Sequence, residues 1–95
     1  MSVTAAAVEQ TLRAAFADAQ IVVTDDSHLH VGHAGAREGA HFTVQLTSPS
    51  FSGLSRVARH RLVYDALHTL IPRGIHALAI MARTPDEAAA TDSIR

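Results

Sequence analysis

The chain has 95 residues, 47% of them hydrophobic and 18% charged, which fits one folded domain over residues 1-95 and excludes a disordered chain. Zero cysteines exclude disulfides, a thiol nucleophile and an all-protein thiolate metal site, and eight basic against nine acidic residues, net charge -1, argue against a broad nucleic-acid-binding field. No apolar run approaches the roughly 20 residues of a membrane span, and no leader pattern is visible at the N-terminus, so the expectation is a cytoplasmic protein with no membrane partner.

Thr4 is placed to cap a helix of about residues 5 to 18, with Val8, Leu12, Ala15, Phe16 and Ala19 at helical offsets. Ile21, Val22 and Val23, ended by Asp25 and Asp26, predict a first strand. Residues Ser27 to Ala40 hold three glycines and no periodic pattern, which makes a connection longer than compact domains usually use and therefore a functional candidate. Phe42, Val44 and Leu46 alternate with Thr43, Gln45 and Thr47 in a period of two, the pattern of a strand with one buried face.

Ser48, Pro49 and Ser50 break that strand, and a second helix is predicted from Ser55, with Val57, His60, Val63, Tyr64, Leu67, Leu70 and Ile71 on one face and Pro72 and Gly74 at its end. Ile75 to Ala82 is nearly all apolar, which predicts a central strand buried on both faces. Thr84, Pro85 and Glu87 have the spacing of a capping box and start a short last helix. The resulting order is α-β-β-α-β plus a small helix. The second helix crosses over between strands two and three, giving an α+β domain with a three-stranded mixed sheet and helices on one face.

Several stretches, in this order, resemble the BolA family: Asp26-Ser27 with Gly32-His33-Ala34-Gly35, His41-Phe42, Phe51-Ser52-Gly53 leading into Arg59-His60-Arg61-Leu62-Val63-Tyr64, Ile75-His76-Ala77-Leu78, and Thr84-Pro85. The match runs from Val8 to Glu87. The resemblance implies a fold similar to the class II KH domain. It also implies partnership with monothiol glutaredoxins in handling iron-sulfur clusters and, for some members, DNA binding as transcriptional regulators.

Read from the residues alone, His76 at the head of an apolar strand would be a core histidine bonded to backbone. BolA proteins use the histidine of this motif as a cluster ligand, and the resemblance places that role on His76. It places the second ligand on His33, in the histidine-type loop Gly32-His33-Ala34-Gly35. His28 and His30 lie close enough to take a metal in its place, with His30 the alternative loop ligand. A 2Fe-2S cluster commonly has four thiolate ligands, two of which imidazoles replace in Rieske centres. A cysteine-free chain supplies only the imidazole half, so thiolates would come from the glutaredoxin and its glutathione, and no cluster should be held stably by this chain alone. His41, opposite Phe42, Val44 and Leu46, and His60, within the second helix, are read as structural.

The nucleic-acid reading rests on Ser55, which begins a helix, and on Arg56, Arg59 and Arg61 after it. A helix start flanked by arginines can receive a phosphate. Equally, Ser55 can simply cap its helix while the arginines solvate its surface. No nucleophile-base arrangement, phosphate-binding glycine loop or zinc-protease motif is present, and Asp25 and Asp26 point to opposite faces of a strand, so no catalysis is expected.

Overall fold

A computed structural model of the chain describes residues 3–26 and 40–93. Thr4 opens helix α1, Ala5–Ala15, by accepting the amide hydrogen of Ala7 at 3.1 Å, which satisfies one of the amides that a helix start leaves without an intrahelical partner. The helix ends three residues earlier than its apolar spacing suggests, because Phe16 leaves helical geometry at φ -129°, ψ 72°. Its ring then packs at 5.6 Å from that of Phe51. Strand β1, Gln20–Asp25, pairs antiparallel with β2, Ala40–Thr47, and β2 pairs parallel with β3, Ile75–Arg83.

The order β1-β2-β3 puts β2 in the centre. Phe42, Val44 and Leu46 turn to the helices and are essentially inaccessible, while Thr43, Gln45 and Thr47 face the other way and are half-buried. Val8 and Leu12 of α1 and Val63 and Leu67 of the next helix close over that inner face. The result is the α+β domain with a mixed three-stranded sheet expected from the sequence. β3, expected to be central and buried on both faces, is instead an edge strand. Its outward residues Ala77, Ala79 and Met81 are exposed. Alanines cost little in water, so a run that reads as buried is tolerated at the surface.

After β2, Ser48 accepts from the amide of Ser50 and starts a 3-10 turn, Pro49–Phe51, which drops Phe51 into the core. Gly53 follows at φ +77°, a left-handed conformation that glycine adopts without strain. Ser55 then caps helix α2, Arg56–Ala66, accepting from Ala58 at 3.1 Å. α2 is shorter than predicted. A separate turn, α3, Ile71–Gly74, follows with Pro72 in its first positions, where proline needs no amide hydrogen and so begins a turn instead of ending the long helix.

The buried stripe of α2 also differs from the predicted one. Val57 is 64% and Tyr64 43% exposed, whereas Val63 and Leu67 are fully buried and Ala66 and Leu70 pack against them. At the helical offset before Val63 stands Arg59, whose side chain is only 13% exposed. An arginine occupies a position that an apolar residue would normally take, so pattern reading shifted the stripe.

Arg59 explains how the end of the chain is held. Its Nε donates to Leu54 O at 3.0 Å and its Nη1 to Ala82 O on the β3 edge at 3.1 Å. Nη1 and Nη2 also reach the two carboxylate oxygens of Glu87, at 2.6 and 3.1 Å. Glu87 lies in helix α4, Pro85–Ser93, and completes the capping box: it accepts from the Thr84 amide at 2.9 Å while its own amide donates to Thr84 Oγ1 at 3.2 Å. The Arg59 guanidinium, and after it the Thr84 amide, hold the Glu87 carboxyl down from 4.5 to about 2. A depressed carboxylate stabilises the fold above its unfolded pKa and loses that effect as pH falls through its folded one. Thermal midpoints measured between pH 5 and 2 should therefore show the difference between the wild type and Glu87→Gln shrinking over the window from about 4.5 to about 2. A difference that stays constant across that window would show that the carboxylate charge does not anchor α4.

Candidate functional site

β3 carries a β-bulge at its first step. Ala40 pairs with Ile75, but His41 pairs with Ala77, so His76 is the extra residue. A bulge re-aims the side chains that follow it. Ile75 is buried, yet after the bulge the residues packed on the core are Leu78, Ile80 and Ala82, which have the opposite parity. His76 and Ala77 both face outward and are exposed. The burial expected for His76 from the residues alone is thus overturned, since the strand turns this imidazole to solvent at a rigid strand end.

The parallel register brings His41 beside it. The two imidazole centroids are 5.1 Å apart, with the rings tilted by 55°. His41 is half-buried on the outer face of β2, as its place in the alternation predicts. Next to it, Thr43 Oγ1 donates to the Asp26 carboxylate, and the Asp26 amide donates to His41 O at 2.7 Å. These bonds tie the end of β1 to the head of β2. A shallow hollow of about 310 Å³ bordered by Asp26, His41, Thr43 and Ala77 opens on this face. The exposed His76 imidazole can donate a nitrogen ligand to a metal ion, whereas the Nε2 of His41 is buried, and among the described residues no group of three or more His, Cys, Asp or Glu is positioned to hold a metal ion. A metal ion held at His76 would take further ligands from outside the described residues.

His28, His30 and His33 lie outside the described residues. His60 is half-buried beside the β3 edge. Of the residues considered for phosphate contact, Ser55 caps α2, and Arg59 has all three guanidinium nitrogens engaged by Leu54, Ala82 and Glu87. Arg56 and Arg61 are exposed on α2. Sequence reading missed the closeness of His41 to His76. The alternation that assigns His41 to the outer face was visible, but the pairing of β2 with β3 was not.

The fold is therefore an α+β domain whose helices cover one sheet face and whose other face carries an imidazole pair at a strand bulge. A family model described as BolA-like protein matches residues 12–87, and the chain belongs to the BolA-like family. It is 40% identical over 77 residues to "Protein BOLA1, chloroplastic" of Arabidopsis thaliana, covering 77% of this chain and 48% of that protein. The chain thus spans about half the length of that relative. It is 38% identical over 80 residues to "DNA-binding transcriptional regulator BolA" of Escherichia coli, covering 84% of this chain and 74% of that protein. Among solved structures, the BolA domain of SufE1 from Arabidopsis thaliana superposes with a TM-score of 0.77 at 37% identity, covering 92% of this chain and 98% of that chain. Among the described residues no helix is long and apolar enough to cross a membrane.

Proposed function

We propose that this chain works in iron-sulfur cluster trafficking or regulation, holding a 2Fe-2S cluster jointly with a monothiol glutaredoxin and glutathione. The observation that supports this reading is His76, an imidazole exposed at a bulge, with the His41 ring 5.1 Å away. The donor set fits half a cluster: this chain contains no cysteine, so it offers neutral nitrogen ligands while the partner supplies thiolates. His76 is one ligand. His33 is the second, with His30 as the loop alternative, and His41 is a further imidazole within reach of the same place. No enzymatic activity is part of this reading. The test is to titrate the chain into a cluster-loaded monothiol glutaredoxin and record visible absorption and circular dichroism. A new spectrum at one-to-one stoichiometry supports the proposal, and an unchanged spectrum overturns it.

A second reading, DNA binding in transcriptional regulation, draws on the name of the Escherichia coli relative and on two exposed arginines of α2, Arg56 at its start and Arg61 at its middle. With Arg59 engaged by Glu87, Arg56 and Arg61 remain as phosphate contacts. Two contacts to duplex DNA give a log-log salt slope of roughly -1.8, at about -0.9 per contact. Retardation measured across a salt series should show that shallow slope. Binding that is absent at low salt, or insensitive to it, would remove this role.

A further inference from the structure

A groove of about 490 Å³ runs between the start of α2, the C-terminal half of β3 and the start of α4, away from the imidazole pair. Its charged walls are Arg56, Arg59, Arg83 and Glu87, with His60 at the side and Ile80 and Met81 as apolar surface. Arg59 and Glu87 neutralise each other as a bidentate pair. No carboxylate among the described residues pairs with Arg56 or Arg83. The Nε of Arg83 is buried and, among the described residues, donates to nothing. Buried donors are nearly always satisfied, and Arg83, whose Nε finds no acceptor among the described residues, is also one of the residues that line the groove.

We propose that this groove binds a small organic phosphate monoester, its phosphate held between the guanidinium groups of Arg56 and Arg83 and its organic part lying against Ile80 and Met81. Two guanidinium charges that no carboxylate among the described residues pairs with match a phosphate monoester, which carries close to two negative charges at neutral pH. Arginine and phosphate pair through parallel hydrogen bonds. The groove also falls within the size range of small-molecule sites, roughly 300 to 1,000 Å³. Met81, 45% exposed, gives apolar surface for the organic part of the ligand. This site shares Arg56 with the α2 surface of the DNA reading but differs from it in Arg83, which borders the groove, and in Arg61, which does not.

The experiment is a proton-nitrogen NMR titration of the full chain with inorganic phosphate, with adenosine monophosphate and, in a separate arm, with a short DNA duplex. Saturable shifts at Arg56 and Arg83 with adenosine monophosphate are expected, weaker with phosphate alone. Arg83→Met and Arg56→Gln should each raise Kd by about tenfold or more, the loss of a charge-assisted hydrogen bond, while Arg61→Gln leaves it unchanged. If Arg83→Met fails to fold by circular dichroism, Arg56→Gln at an exposed position carries the test. Absence of saturable shifts with both small phosphates overturns the proposal. So does binding confined to the duplex, or a loss with Arg61→Gln equal to that with Arg56→Gln.

Discussion

Replacing His76 with alanine is expected to abolish the mixed-complex spectrum with a cluster-loaded monothiol glutaredoxin while leaving the fold intact. The two effects separate because His76 is the extra residue of a bulge and is exposed. Substitutions at such surface positions usually change stability by no more than about 0.5 kcal/mol. Under the proposed function, in contrast, this substitution would remove one of the two nitrogen ligands that the chain offers the shared cluster. His33→Ala is expected to shift the spectrum and weaken the cluster without abolishing it, since His30 lies three residues away and His41 sits beside His76. The measurement is the visible circular dichroism of each variant in the mixture, with far-ultraviolet circular dichroism and a thermal melt of each variant alone. If His76→Ala gives an unaltered cluster spectrum, or loses its fold, then His76 is not a ligand.

The largest loss of stability is expected from Phe51→Ala. Phe51 is fully buried, and its ring meets Phe16 at 5.6 Å, joining the turn after β2 to the end of α1. Truncating a buried phenylalanine costs about 3 to 5 kcal/mol, from lost transfer free energy and from the cavity left behind. Domains of this size have only about 5 to 15 kcal/mol in total. Each kcal/mol corresponds to roughly 4 to 8 °C in a domain of up to about 100 residues, so the midpoint should fall by more than about 12 °C. Urea unfolding followed by far-ultraviolet circular dichroism measures the same quantity. A loss below about 1 kcal/mol would mean that neighbouring side chains refill the space. Because Phe51 also sets up the turn through Gly53 into Ser55, the variant should loosen the start of α2. It therefore tests the link between the Phe51-Ser52-Gly53 stretch and the position of Arg56.

Local rules set much of this protein. Thr4, Ser55 and the Thr84-Glu87 box fix three helix starts through side chains that reach amides three residues away, a short-range effect that spacing alone reveals. The alternation through Phe42, Val44 and Leu46 fixes which face of β2 is buried, and with it the outward direction of His41. The absence of cysteine determines that any thiolate must come from a partner.

What the tertiary structure decided concerns pairs of residues far apart in the chain. Strand order made β3 an edge, because pairing partners are chosen by packing across the sheet and an alanine-rich strand reads the same buried or exposed. The bulge at His76 was invisible for a related reason. Both parities of Ile75 to Ala82 are apolar, so a one-residue slip leaves no trace in the pattern, yet it turns an imidazole from the core to solvent and sets it beside His41. Arg59 taught the same lesson on α2: its charge marked it as surface, but Leu54 and Ala82 carbonyls and the Glu87 carboxylate converge on it only after folding. A buried guanidinium is stable only where acceptors surround it, and those acceptors come from segments 5, 23 and 28 residues away in the chain.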